Sequence, residues 1–421
     1  MKRPTFAIPD PLIHASDEFY ANPYATFSKL REEAPVLWSE KGKYWVVSRY
    51  EEVNAVLRDL HYEKGFQRFK TFDPIIKIIP QLNEQLKYRS MSMLNQNPPD
   101  HTRLRSLVNK AFTPTMVSEM RQHIQDITDG LLDKVESKGE MDLIADFCFV
   151  LPVTVIAEML GIPPQDMNKF KGWSHSLTEA LEPTVGAPTL LKAAQANKEL
   201  ISYLKPLVES RRKNPQSDLI SALVKAEEEG NKLSEIELMA NLVLLLVAGH
   251  ETTVNLIGNG MLALMRNPEQ MALLQSQPEL IDSAVDEFLR YDSPVQLIRR
   301  SAGSALDLGG QQIQEDDTIL LLRAQPTTIQ LTLLTQTNWI SRAKTINTYL
   351  LVQASTTAWA QHWLSWRAKL QSRLSCAACP ISNSKLQIWS IASPLHCAAS
   401  RLCRWHFSQA DKVQPAQADQ F

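Results

Sequence analysis

Ala248-Gly249-His250-Glu251-Thr252-Thr253 interrupts a stretch from Leu238 to Val247 that is apolar at every position but Asn241. Working outward, Ser234-Glu235-Ile236-Glu237 forms a capping-box pattern, a hydroxyl followed three residues on by a carboxylate. At the other end Asn267-Pro268 stops the pattern after Arg266. The spacing predicts one helix over 234–266, and about thirty residues at 1.5 Å each span roughly 45 Å, the width of a domain. A stretch apolar on all sides belongs in a core. Gly inside such a helix costs about 1 kcal/mol against Ala, and a buried Glu needs a partner or a raised pKa. As structure alone, the hexapeptide reads as a kink with a satisfied polar pocket. It equally suits a helix that meets a flat cofactor, with Ala248 and Gly249 leaving room and Glu251 and Thr252 holding water and relaying protons.

Two further patterns flank this helix. Glu287-Phe288-Leu289-Arg290 sets a carboxylate and a guanidinium three residues apart on one helical face. By itself that is a surface ion pair worth about 0–1 kcal/mol. Upstream, Asn97-Pro98-Pro99-Asp100-His101-Thr102-Arg103-Leu104-Arg105 opens a helix with Asp100 as its expected N-cap. His101 and Arg105, four apart, share a face that suits a carboxylate or phosphate; a solvated basic face is the alternative.

The remaining pattern up to residue 322 is mainly helical. Helices are expected at about 100–111, 115–137, 141–160, 164–181, 187–213, 216–229, 234–266 and 279–291, with Pro206 a kink or split in one of them. Val36 to Arg49 reads as a hairpin around a Lys-Gly turn, followed by a helix over 50–60. Residues 61–97 read as an irregular loop, and 293–322 as short strands with a Gly309-Gly310 turn.

The chain has 421 residues, a net charge of −2, 44% hydrophobic and 21% charged residues. That composition is globular, and the charge argues against a nucleic-acid partner held by phosphate neutralisation. No run of eighteen apolar residues predicts a membrane anchor, and residues 1–14 lack the apolar core of a signal peptide. Five cysteines in so long a chain suggest a reducing, cytoplasmic setting.

The four segments together, in this order and spacing, resemble the cytochrome P450 family in its soluble bacterial form, over about residues 10–322. AGHETT (248–253) resembles the family's oxygen-activation motif, and EFLR (287–290) its Glu-x-x-Arg motif. PPDHTRLRSLVNKAFTP (98–114) resembles its heme-facing helix, and SPVQLIRRSA (293–302) the strand that brings an arginine to the heme. The resemblance implies a mainly α fold with small β-sheets and a metal-binding cofactor, heme b (iron protoporphyrin IX), with O2 as co-substrate. It implies an oxidoreductase, a monooxygenase acting on a small apolar organic substrate. Glu251 and Thr252 would deliver protons during oxygen activation, His101, Arg105 and Arg300 would pair with the heme propionates, and Glu287 with Arg290 would be structural. The loop 61–97 and the helices of 164–213 would cover the substrate. A ferredoxin or flavodoxin reductase system would supply electrons, since no GxGxxG fingerprint of a fused reductase occurs, and the protein would be a monomer. Dehydration, peroxygenase or carbon-coupling chemistry on the same fold is the rival enzymology, against which Glu251-Thr252 argues. A non-catalytic remnant or binding protein is the rival of another class.

The resemblance lacks one part. The family's axial ligand is a cysteine thiolate in a Phe-x-x-Gly-x-x-x-Cys-x-Gly loop, and none of Cys148, Cys376, Cys379, Cys397 and Cys403 sits in such a loop. Cys376-Ala-Ala-Cys379 has the spacing of half a zinc site without a convincing second pair. The composition also changes near residue 323. All fourteen glycines lie at or before Gly310, and beyond 322 ten Lys and Arg face only Asp411 and Asp419. Six of the nine tryptophans lie there as well. A basic low-complexity extension is one reading. The other is a frameshift near codon 322. Codons permitted for Leu350 to Trp363, read one base earlier, give Phe-Gly-Pro-Gly-Ile-His-Tyr-Cys-Leu-Gly-Ala-Thr-Leu, with the cysteine codon straddling Thr357 and Ala358. The fold is then expected to be incomplete after about residue 322, with 323–421 out of frame.

Overall fold

The structure, a computed structural model, describes residues 19, 22–64, 82–111, 114–136, 140–180, 186–228 and 233–322, with strands at 388–389 and 402–406. Its described helices run in order α1 (Pro23–Glu33), α2 (Tyr50–Arg58), α3 (Leu82–Ser90), α4 (Asp100–Ala111), α5 (Pro114–Glu136), α6 (Val150–Met159), α7 (Met167–Glu179), α8 (Ala187–Lys213), α9 (Leu219–Glu228), α10 (Glu235–Arg266), α11 (Pro268–Ser276) and α12 (Ile281–Tyr291). The strands are β1 (Val36–Ser39), β2 (Tyr44–Val47), β3 (Tyr62–Glu63), β4 (Glu140–Asp142), β5 (Leu297–Ala302), β6 (Leu306–Leu308), β7 (Gln311–Ile313), β8 (Thr318–Leu322), β9 (Ile388–Trp389) and β10 (Leu402–His406).

The capping box predicted at Ser234 is formed: the Glu237 amide donates to Ser234 Oγ at 3.3 Å, and the Ser234 amide donates back to Glu237 Oε2 at 2.8 Å. From that start α10 crosses the main core, where Leu238, Leu242, Leu245, Leu246, Leu256 and Ile257 are buried with side chains of α4 to α9 and α12. It is the one described helix long and apolar enough to cross a bilayer, and 61% of its most apolar window is buried inside the protein. Gly260 serves α12 packing: a Cβ there would lie 2.7 Å from the ring of the buried Phe288.

A five-stranded sheet, β1-β2-β8-β5-β3, forms the second layer, with β2 and β8 parallel and the other pairs antiparallel. Alternation divides its side chains. Leu37, Val46, Leu297, Leu320 and Leu322 pack with Phe27 and Leu30 of α1, while Val36, Trp45, Val47, Ile319 and Leu321 pack with Val53 and Val56 of α2. Both faces are covered, which is why Thr318–Leu322 is buried at every position. The Gly309-Gly310 turn joins β6 to β7 with φ of 58° and 78°, the left-handed conformations glycine adopts without Cβ strain.

Several expectations change. The helix expected over 141–160 is instead β4, a π-turn over Leu143–Cys148, and α6. Asp142 breaks the run by accepting from the amides of Ile144 and Ala145 through its side chain, a cap that competes with continuous helix. Residues 61–97 are not wholly irregular, since they contain β3 and α3. The helix expected from 216 begins at Leu219. Pro206 neither splits nor ends α8, which runs through it. Pro268 ends α10 by starting another helix, where its missing N–H costs nothing. Asp100 lies inside α4, whose opening amides bond the carbonyls of Asn97 and Pro99, so it is not the N-cap; its carboxylate accepts from Arg103. The anomalous tail supplies β9 and β10, which join β4 in a three-stranded sheet. Thr357, Ala358, Cys376, Cys379 and Cys397 lie outside the described residues, so the expected place of the ligand does too.

Candidate active site

Two groups of predicted residues come to the site from opposite elements. The first is cationic. His101 and Arg105 line one cleft of about 500 Å³ along α4, with Thr102, Ser106, Asn109 and Lys110. Arg300 of β5 lies opposite Ile319, hence on the sheet face of Trp45 and Tyr62, whereas Arg299 takes the other face. Lys64, which follows β3, completes the group; its Nζ is 3.4 Å from His101 Nε2. Asn97 fixes Lys64 in place by accepting the Lys64 amide at 2.9 Å and donating to Glu63 at 3.0 Å.

Burial lowers the proton affinity of all four groups, and the neighbouring charges lower that of Lys64 and His101 further. Burial first, then the charges of Arg300 and Arg105, bring Lys64 down to about 8. Burial, then Lys64, Arg105 and Arg300, lowers His101. Burial lowers Arg105 and Arg300. No carboxylate figures among these causes. Cations partly buried together, with no carboxylate acting on them among the described residues, are unfavourable as structure and are relieved by an anion with several oxygens. Lys64 escaped the sequence reading because it lies in the stretch taken as irregular, thirty-seven positions from His101.

The repulsion gives an expected result. A lysine whose folded pKa is below its unfolded value destabilises the chain while both states are protonated, here below about pH 8, and the cost fades as pH rises towards 10.5. Discounted for the solvent screening of a partly exposed group, Lys64→Met should therefore stabilise the cofactor-free protein at pH 7 by about 1–2 kcal/mol. Urea midpoints at pH 7 and 10 measure it; the gain should shrink at the higher pH.

The second group lies on α10. The middle of that helix is partly exposed at Val243, Leu244, Val247, Ala248, Gly249, Glu251 and Thr252, of which Leu244, Val247, Ala248, Glu251 and Thr252 share one face at i, i+3, i+4, i+7 and i+8. One stripe of a core helix therefore faces open space, with an apolar half and a polar half. Within it Thr252 Oγ1 donates to the Ala248 carbonyl at 2.8 Å, and Asn255 Nδ2, nearly fully buried, donates to Glu251 Oε1 at 3.2 Å. Asn255 thus orients the carboxylate from one turn below; a polar residue four positions after Glu251 in an apolar run was its signal. Gly249 is partly exposed like Ala248, and a Cβ on it would make ordinary contact with Ile156 of α6 at 3.7 Å, so it lies at the edge of the stripe towards α6. His250 turns inward, with Nδ1 2.7 Å from Ser174 Oγ.

Two ties join the groups. Arg103 Nη2 on α4 donates to Glu237 of the α10 cap at 2.5 Å, and the buried Asn241 accepts the Met93 amide at 3.0 Å. Glu287 and Arg290 are not a surface pair: they are 2% and 8% exposed, joined by two bonds of 2.6 Å.

The geometry agrees with the comparisons. The cytochrome P450 family model matches residues 16–324. The chain is 42% identical over 285 residues to cytochrome P450 CYP107DY1 of Priestia megaterium, covering 66% of this chain and 68% of that protein. It is 38% identical over 310 residues to the biotin biosynthesis cytochrome P450 of Bacillus subtilis, covering 73% and 76%. Among solved structures, P450BioI in complex with a hexadec-9Z-enoic acid ligated acyl carrier protein superposes with a TM-score of 0.79 at 30% identity, covering 93% of this chain and all of that one. Heme b and O2 are the family's cofactor and co-substrate. The residues present fit two parts of that cofactor, the carboxylate edge at the cation cluster and one face at the α10 stripe. Cys148, the cysteine whose side chain lies among the described residues, does not offer the thiolate, since it is fully buried among apolar side chains of the main core, in the π-turn. The cation cluster, the open stripe and the family match over 16–324 place this chain in the cytochrome P450 family, as a monooxygenase by descent.

Proposed function

We propose that residues 1–322 are the heme-holding body of a cytoplasmic, monomeric monooxygenase, and that residues 323–421 are translated out of frame. This exact chain then lacks the axial thiolate and is inactive, while the intended product inserts one atom of O2 into a small apolar organic substrate. The observation that carries the reading is the convergence of Lys64, His101, Arg105 and Arg300, with no carboxylate acting on them among the described residues. His101, Arg105 and Arg300, joined by Lys64, would pair with the propionates. Leu244, Val247 and Ala248 offer an apolar wall to substrate, and the helices of 164–213 cover it. When bound, heme supplies the oxygen chemistry. Glu251, held by Asn255, would pass protons inward through Thr252, whose hydroxyl can turn from the Ala248 carbonyl to water. Electrons would come from a ferredoxin or flavodoxin system.

The frameshift is supported by the change of composition at 323, by the end of the family match at 324, and by the shifted reading that restores a cysteine loop. The test is spectroscopic. The full chain as written, supplied with heme, should give no thiolate-type Soret band in its reduced carbon-monoxide complex, and the frame-corrected chain should give one. A thiolate-type band from the chain as written would overturn the loss of ligand. Sequencing codons 315–330 tests the slip itself; a gene that forbids the shifted reading ends it.

A further inference from the structure

His250 is placed about 130° around α10 from the centre of the open stripe, counting 100° per residue. It carries no part of the oxygen chemistry proposed above, yet it occupies the same turn as Glu251. Its ring and Ser174 of α7 are both fully buried, with Nδ1 and Oγ 2.7 Å apart. Phe149 closes the site, its ring perpendicular to the imidazole at a centroid distance of 4.4 Å. His250 Nε2 is buried with no hydrogen-bond partner among the described residues.

The geometry points to Ser174–His250 as a latch that holds the covering helix α7 on the oxygen-activation turn of α10 and couples α7 to the position of Glu251. The covering role of α7 rests on the function proposed above; the latch itself does not. Apolar side chains dominate the surrounding core, and a leucine would fill the place of His250 without desolvating two nitrogens. A polar pair differs in being reversible: when α7 lifts, both partners regain water, so the contact biases opening without forbidding it. α7 moves with α8, because Trp173 Nε1 donates to Glu199 at 2.9 Å and Tyr203 Oη donates to Asp166, just before α7, at 2.8 Å. His250 is therefore a positioning residue, acting on Glu251 through the shared helical turn.

Hydrogen exchange on the full chain without heme tests the latch independently of whether the cofactor is bound. Ser174→Ala and His250→Phe should each accelerate amide exchange roughly tenfold in both 167–179 and 248–253, the effect of one lost buried hydrogen bond. Residues 281–291 of α12 should stay within about twofold. His250→Asn, whose amide falls where Nδ1 lies, should restore protection. Acceleration confined to 167–179 would reduce the pair to a structural seat and overturn the coupling. Unchanged exchange, a uniform rise that includes α12, or failure of the asparagine rescue would overturn the latch. A thiolate-negative spectrum from the frame-corrected chain would instead sink the monooxygenase reading and leave this result standing.

Discussion

Arg290→Ala should lower the unfolding free energy of the chain by about 3–5 kcal/mol, because it strands the Glu287 carboxylate in the core. Glu287 is 2% exposed, and Arg290 closes both of its oxygens with bonds of 2.6 Å. Water cannot take over from the guanidinium at that depth. The Phe288 between them packs against Gly260 of α10, so disorder in α12 would reach the central helix. The double replacement Glu287→Leu with Arg290→Met should cost far less than Arg290→Ala, since removing both charges removes the desolvation cost along with the attraction. Chemical denaturation midpoints of the two variants distinguish this account from a surface pair, for which both changes would stay near 1 kcal/mol or below.

Acid should act through His250. Burial, and then the charge of His175, pull its pKa down to about 3. In the unfolded chain the ring titrates near 6.5, so between about pH 6.5 and 3 the unfolded state binds the extra proton. Stability contributed by the neutral ring is complete above 6.5 and drains as pH falls through that window. From pH 8 to pH 5 the loss from this residue amounts to about 2 kcal/mol. His250→Asn, which cannot titrate there, should lack that increment. Urea midpoints of wild type and variant at pH 8 and pH 5 check it: their difference should change by about that amount, and parallel curves would contradict a buried neutral histidine.

Much of this site was legible in order along the chain. Ser234 with Glu237, Asn267 with Pro268, and the hexapeptide between them are local signals, and local hydrogen bonding decides helix ends. The Glu287–Arg290 spacing was legible for the same reason, although its depth was not: i, i+3 pairs look alike on a surface and in a core. Glu251, Thr252, His101, Arg105 and Arg300 were singled out by the motifs that resemble the family's. Lys64, Asn97 and Arg103 were not, because what makes them matter is a partner 33 to 134 positions away.

By itself, then, the sequence determined the family, the central helix with its capped start and proline stop, the acid and hydroxyl on that helix, and the break in composition at 323. Each is a matter of residue type at short spacing, where propensity and capping act. Only the tertiary structure decided which side of the hexapeptide faces open space. Helical periodicity sorts residues into stripes but does not say which stripe a neighbouring helix will cover. Ser174 and Phe149 cover the side of His250, which leaves Ala248, Gly249, Glu251 and Thr252 partly exposed. The convergence of Lys64, Arg105 and Arg300 around His101 likewise required the sheet and α4 to be packed together before their burial and repulsion, and the anion that would relieve them, came into view.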